Sequence, residues 1–553
     1  MISKTELEYK ILGEDNFTDS RGVISNYKLK EKINLIATIT SKKNSLRSNH
    51  YHPIQTQECL LLKGQYISVY KDLRFSNSIK ETHLINESEL VITKPNVAHT
   101  MIFTRDSIFL NLVNGEREHK NYGKTHTIPY LLISDQEKLF LQKNYRLACR
   151  VCEKNDFFRL ISLGYQPFAN DFLKKKTITK KYPLEVNICK NCHNAQLSVS
   201  PNLVKIFRNY LYKSSTSKDF TNHFFQSTKK YIRSLNLKKN DFVIDIGSND
   251  GVALLQFKKF GFWNLLGFEP SKKLSQECRN KGIKIINDFL KLNNAIQYKS
   301  KANLILASNV FAHNDNLSEM LKNILLMLKN NGTVIIEVQY FVNTLKDCSF
   351  DNIYHEHFNY WTLTSINNFF LNHKCIIFKA EKINTHGGSL RIYASKVSNK
   401  KVENSVKKIL LEEKVFGLNN MDIYLRFKKK ITIIQANFNK NINWLKKKYP
   451  NILGFGASAK CTVAINFFNL NSGYLKNIVD DNILKNNRYL PGTSIKVLHT
   501  SKIKNKKFDC VIVFAWNNFN EIRKNNSKIS NTFVSVRDLY KKNFIKYFKR
   551  SFL

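Results

Sequence analysis

Three groups of residues in this 553-residue chain have the types and spacing to do chemistry. Cys149/Cys152 and Cys189/Cys192 form two CxxC pairs. Four thiolates in two tight pairs make a closed tetrahedral zinc site, structural because no ligand position stays open. Tyr354-His355-Glu356-His357 concentrates three ionisable types in four residues. Histidine is the side chain best poised to take a proton near neutral pH, and a neighbouring carboxylate or phenol can orient it or hold a developing oxyanion. The same residues could be metal ligands, although the spacing departs from H-E-x-x-H, or simply satisfied structural histidines. The third group is Asp245-x-Gly247-Ser248-Asn249-Asp250-Gly251 with Glu269 downstream. Its glycines let a ligand approach the backbone, and an acidic side chain ending the next strand can take both hydroxyls of a ribose.

Elements must position these groups. Strand-like runs at 242–246, 265–268, 303–307, 333–338 and 374–378 alternate with helical ones, the pattern of a doubly wound parallel sheet. The glycine turn closes the first of them, and its departure from G-x-G-x-x-G favours S-adenosylmethionine over NAD as the nucleoside cofactor. Asn309 follows the third run, where open α/β sheets place ligand contacts. His386-Gly387-Gly388-Ser389-Leu390-Arg391 joins a permissive glycine pair to an anion-binding arginine. A lysine-rich helical stretch (401–449) leads to a second α/β unit. There Gly454-x-Gly456-Ala457-Ser458-Ala459-Lys460 ends one strand and Asp480 the next, an arrangement able to hold phosphates on backbone N–H groups and Lys460. Residues 20 to about 130 read instead as short alternating strands with turn signals such as Lys63-Gly64, a small all-β barrel or sandwich with the polar stretch Arg117–Lys124 as its exit.

Composition narrows the classes. The formal charge of +45 suggests nucleic acid, but the lysines are spread along the whole length with no basic block, as A/T-rich codon usage produces. A nucleic-acid partner is not expected. Six of the ten cysteines stand singly, against a disulfide framework. With no apolar signal region at the N-terminus and no apolar run of bilayer length, a cytoplasmic protein with no membrane partner is expected.

Residues 149–553 resemble the sugar C-methyltransferases that act on nucleotide-linked 4-keto-deoxysugars. The motifs already quoted stand in that family's order, together with Tyr210-Leu211-Tyr212-Lys213-Ser214-Ser215, Gly267-Phe268-Glu269-Pro270 and Asn309-Val310-Phe311-Ala312-His313. The resemblance implies S-adenosylmethionine held by Asp245, Gly247, Asn249, Gly251, Glu269 and Asn309, and an architectural Zn2+ on Cys149, Cys152, Cys189 and Cys192. His357 is the implied base that removes the C-3 proton, with Tyr354, Glu356 and Tyr212 orienting the sugar or stabilising the enolate oxygen. His386, Arg391, Lys460 and Asp480 are the implied substrate contacts, and a dTDP-linked sugar is the favoured partner. Cys461-Thr462 departs from the glycine usual after the lysine.

The N-terminal region resembles the cupins of sugar-nucleotide isomerases and epimerases, on Arg47-x-x-His50-x-His52, Gln57, Gly64 and Pro95-x-x-x-His99. Metal-binding cupins carry glutamate where Gln57 stands, so the expectation is metal-free acid/base use of His50 or His52, or a ligand-holding barrel. Homo-oligomers through this region are a further expectation. The expected fold is multidomain: a cupin barrel (1–135), a zinc module (146–204), an α/β class I methyltransferase core (205–395) and a C-terminal Rossmann-like domain (396–553). The alternatives are a methyltransferase of another ketone or carbon position with an inert cupin, and a zinc-containing nucleic-acid-binding protein.

Overall fold

The computed structural model describes residues 8–12, 14–20, 22–27, 29, 32–76, 78–114, 126–208, 210, 213–216, 218–385, 387–396 and 400–551. Tyr212, His386 and the stretch Arg117–Lys124 lie outside them. The chain forms two compact units. One is Met1–Leu147 with Ile161–Tyr165 and Tyr182–Glu185, and the other is the remainder from Ala148 to Leu553. The first boundary thus falls later than the expected 135. The helix Asp135–Asn144, opened by a Ser134/Glu137 capping box and anchored by buried Leu141, belongs to the first unit.

That first unit is the expected β-barrel architecture. One five-stranded sheet runs Glu8–Leu12, Glu89–Thr93, Gln57–Lys63, Ser107–Val113, Leu35–Ser41. The other runs Ile128–Pro129, Leu46–Tyr51, Val97–Phe103, Gln65–Asp72, Glu81–Asn86. All their pairings are antiparallel, and alternation sends Cys59, Leu61 and Phe109 from one sheet and Tyr66, Met101 and Phe103 from the other into one core.

In the second unit, the strands Lys284–Ile286, Leu265–Phe268, Val243–Ile246, Ala302–Ser308 and Leu328–Gln339 pair parallel in that spatial order. The sheet differs from the expected all-parallel one at its far end. Ser389–Lys396 joins Leu328–Gln339 antiparallel and pairs antiparallel with Cys375–Ile383. The short turn through Gly387 and Gly388 makes this possible, because a hairpin needs no crossover helix. Gly388 sits at φ 106°, and a Cβ there would lie 1.9 Å from Asn343 Nδ2. The helices Asn404–Phe416 and Met421–Lys448 lead to another sheet, Lys496–His499, Asn477–Asp480, Ile452–Phe455, Cys510–Val513, Phe533–Ser535, parallel throughout and edged by the short antiparallel strand Arg488–Tyr489. Among the described residues no helix is long and apolar enough to cross a membrane.

Candidate active site and cysteine centre

Buried Ile353 and Phe358 pin the two ends of the tetrad Tyr354–His357, and its side chains divide by burial. His355 and Glu356 are buried, whereas Tyr354 and His357 are half-buried. The Tyr354 hydroxyl lies 2.8 Å from His357 Nε2, and His357 Nδ1 lies 3.2 Å from the Asn352 carbonyl. The carbonyl can only accept, so Nδ1 carries the hydrogen and Nε2 the lone pair, the tautomer a base requires. The His313 ring, from the Asn309–His313 motif, lies tilted 4.8 Å from that of His357 and reaches the Glu356 carbonyl through Nδ1. Burial pulls His313 down to about 4, so it is neutral at physiological pH. Burial pushes the Glu356 carboxyl up to about 7, against hydrogen bonds from Asn170 and Tyr210 that favour its charged form.

The glycine turn stands at the carboxyl end of Val243–Ile246. Gly247 has φ 68°, and a Cβ on it would meet Val310 at 2.4 Å, so the turn admits no other residue without displacement. Asn249 and Asn309 both adopt the left-handed conformation. Glu269 ends the neighbouring strand and accepts hydrogen bonds from the Asn249 and Ser271 backbone N–H groups at 2.9 and 2.8 Å. The Ser214 N–H donates to the Asn249 side chain at 3.0 Å, tying the segment beside Tyr212 to the turn. Burial raises Asp245 to about 8 and Glu269 to about 7. Desolvated carboxyls at a glycine turn fit a ligand that brings hydroxyl donors and a positive charge.

Lys460 lies in the first turn of the helix Ala459–Phe467, beyond its Ser458 cap. Its ammonium is buried, has no hydrogen-bond partner among the described residues, and sits 4.5 Å from the centre of the Trp516 ring. Trp516 donates to Asp351 at 2.6 Å, and Arg537 stacks 4.0 Å from the same ring. Burial lowers the lysine pKa, so an anion entering here would relieve it. Asp480 is engaged by the Asn482 N–H and by Lys485 at 3.0 Å.

Arg391 departs from the expected anion contact. It is buried at 3% exposure, pairs with Glu337 at 2.7 Å and Glu381 at 3.4 Å, and donates to Ser227. His223 and Tyr231 complete the set on Glu337, so His223, Ser227 and Tyr231 present one face of the helix Lys218–Ser234. Burial works against the Glu337 charge, but the His223 hydrogen bond and Arg391 overcome it and leave the carboxyl at about 2. The arginine is neutralised inside the sheet.

The four cysteine sulfurs lie within 4.8 Å of one another, with Cys149–Cys192 and Cys152–Cys189 each at 3.5 Å. A tetrahedron of sulfurs at the zinc–thiolate bond length has edges of about 3.8 Å, so the donor set fits Zn2+. The module also grips the chain beside the Tyr354–His357 tetrad and beside its neighbour His313. Asn359–Tyr360 pairs with Ala195–Leu197, and Arg150, inside the first CxxC, binds Asp315 at 2.7 Å just beyond His313.

In the first unit, His50, His52 and His99 converge with ring nitrogens within 4.8 Å. His52 Nδ1 faces the His126 carbonyl at 2.9 Å and His99 Nδ1 the Val97 carbonyl at 3.1 Å, which leaves each Nε2 as the acceptor. Gln57 belongs to the same inward face as Cys59 and Leu61. The cluster suits proton transfer and would also accept a cation.

Asn170, Tyr210, Asp351, Trp516 and Arg537 were not among the expected site residues. Asp351 stands three residues before Tyr354, the other four come from distant parts of the chain, and only Tyr210 stands in a recognised motif.

Comparisons with known proteins agree with this layout. Residues 149–207 match a zinc binding domain, 220–373 a methyltransferase domain and 384–535 a C-methyltransferase C-terminal domain. The chain is 25% identical over 383 residues to the C-methyltransferase NovU of Streptomyces niveus, covering 68% of this chain and 90% of that protein. Solved structures similar to a part of the chain include a 3,4-ketoisomerase, QdtA, of Thermoanaerobacterium thermosaccharolyticum. It is 17% identical over 21% of this chain and 85% of that one, with TM-score 0.19. Another is the rmlC epimerase of Mycobacterium tuberculosis, 15% identical over 21% and 68%, with TM-score 0.20. Scores this low decide nothing, and the β-barrel stands on its own strands. Zinc-binding, methyltransferase and C-methyltransferase C-terminal models follow one another along residues 149–535, so the chain is a methyltransferase enzyme with the domain order of a C-methyltransferase.

Proposed function

We propose that this enzyme transfers a methyl group from S-adenosylmethionine to the carbon beside the ketone, C-3, of a nucleotide-linked 4-keto-deoxysugar, with dTDP as the favoured nucleotide. The observation that carries the reading is the Tyr354–His357 pair, held in the tautomer of a base by the Asn352 carbonyl. When bound, the sulfonium supplies an electrophilic methyl. Asp245, Glu269, Asn249 and Asn309 would hold it at the glycine turn.

A ketone acidifies the neighbouring C–H. His357 Nε2 takes that proton and the C–H electrons enter the enolate. Once Nε2 is protonated it no longer accepts from Tyr354, and the phenol turns its hydrogen bond to the enolate oxygen. The enolate carbon would then bond to the methyl as the S–CH3 bond breaks with its electron pair left on sulfur, a neutral thioether departing, and the C-4 carbonyl would re-form. Lys460, beside Trp516 and Arg537, would meet the diphosphate. The β-barrel would isomerise or epimerise the same sugar through its histidine cluster.

The test is a transfer assay with labelled S-adenosylmethionine and a panel of dTDP-, UDP- and GDP-4-keto-6-deoxysugars, followed by NMR of the product. Label on the carbon next to the ketone is expected. Label on oxygen, or at a carbon remote from the ketone, would exclude the enolate mechanism.

A further inference from the structure

We propose that Asn170, carried by the cysteine module between its two CxxC pairs, is a positioning residue of the catalytic site that holds the Glu356 carboxylate ionised and in one orientation. Its amide nitrogen lies 2.8 Å from Glu356 Oε1 and 2.8 Å from Oε2. A donor equidistant from both oxygens sits on the bisector of the carboxylate. A protonated acid would turn an O–H toward those N–H groups, so the contact favours the anion.

The loop that delivers Asn170 is fixed on several sides. Phe168 packs edge-on to His355 at 5.3 Å, the Ala169 carbonyl accepts from Thr462 at 2.9 Å, and Leu173 pairs with Tyr489. Glu356 is 1% exposed and forms no ion pair among the described residues. The groups facing it are the Asn170 side-chain amide, the Asn170 backbone N–H, which any substitution there but proline keeps, and the Tyr210 hydroxyl. His313 approaches its backbone carbonyl, and Tyr354, His355 and His357 stand on its own segment. With the Tyr210 hydroxyl, Asn170 offsets the burial that pushes this carboxyl up to about 7, and its removal would drive Glu356 further toward the neutral form. The catalytic part of this role rests on the methyltransferase reading; the effect on Glu356 does not.

The experiment compares wild type, N170A, N170S, E356Q and N170A/E356Q as full chains. Melting temperature is followed from pH 5.5 to 8.5, and kcat and KM over the same range. In the Asn170→Ala variant the melting deficit should grow as pH rises through neutrality, and the acid limb of kcat should move up by about one to two pH units. KM should change little, and Asn170→Ser, which keeps a donor, should recover part of the shift. In the Glu356→Gln background the Asn170→Ala deficit should be independent of pH. A deficit equally large at both ends of the range, or one whose pH dependence survives Glu356→Gln, would overturn the proposal. A wild type without methyl transfer would strike the substrate reading and leave the melting series to decide Asn170.

Discussion

The Tyr354 hydroxyl and His357 Nε2 stand 2.8 Å apart, with their rings 4.0 Å centre to centre. In the proposed mechanism the phenol guards the lone pair that acts, and the two side chains would exchange one hydrogen bond rather than work independently. This predicts unequal losses. His357→Asn should abolish methyl transfer while calorimetry shows S-adenosylmethionine binding unchanged. Tyr354→Phe should retain the base and lower kcat by about 10²–10³-fold, the usual cost of one oxyanion donor. Turnover in the Asn variant would remove His357 as the base.

Arg391 is expected to govern stability rather than substrate affinity. Arg391→Met strands the Glu337 charge, and breaking a buried pair costs about 3–5 kcal/mol. Urea unfolding should show the loss, with KM for the sugar unchanged in whatever protein folds. The pair has its own acid signature. Glu337 is depressed to about 2, so its contribution is present above the ordinary carboxyl range and disappears as pH falls through that value.

Lys460 should behave in the opposite way. Its buried ammonium carries a desolvation cost and lacks a hydrogen-bond partner among the described residues. Lys460→Met should raise the melting temperature of the ligand-free enzyme and weaken dTDP binding by about 10–100-fold, the value of a charged hydrogen bond. A destabilised variant with normal dTDP affinity would remove the lysine from the nucleotide site.

Three buried acids set a further pH trend. Asp245, Glu269 and Glu356 are raised to about 8, 7 and 7, so between the ordinary carboxyl range and those values the folded chain holds protons that the unfolded chain has lost. Their contribution to stability is therefore full at the acid end of that window and falls as pH rises through it. The ligand-free protein should melt at a higher temperature at pH 5.5 than at 8, and Glu269→Gln should flatten the slope. A melting temperature that climbs over this interval would refute the trend.

Metal analysis should find one zinc per chain. Cys189→Ser should lose it and melt earlier, while His99→Asn should leave the zinc content unchanged if the β-barrel cluster works as an acid/base, as a neutral Gln57 suggests. A second equivalent that disappears with His99→Asn would make the cluster a metal centre.

The parts of this molecule written in local pattern were legible. The run 265–268 is a strand over the same residues, and the Ala302–Ser308 and Cys375–Ile383 strands lie within a few residues of their expected runs. Pairing direction was not legible, because a buried strand has the same hydrophobic run whether its neighbour is parallel or antiparallel. That is why the 374–378 run reads as parallel, while the Ser389–Lys396 strand between it and the rest of the sheet is not among the expected runs at all. Arg391 beside a glycine pair looks like an anion grip until Glu337 is seen opposite it, and that partner comes from another strand. Asn170 escaped for the same reason: its contact with Glu356 spans 186 residues, and nothing near either residue announces the other.

The strand Asn359–Tyr360, laid against Ala195–Leu197, also bears on the order of assembly. Asn194 and Asn359, hydrogen-bonded beside that ladder, are 165 residues apart. Closing so long a loop costs less entropy once the intervening sheet has condensed. The cysteine knuckles, by contrast, close over short spans. During synthesis the metal-binding module can therefore be complete while the tetrad is still unpinned, and catalytic competence is among the last properties the folding chain acquires.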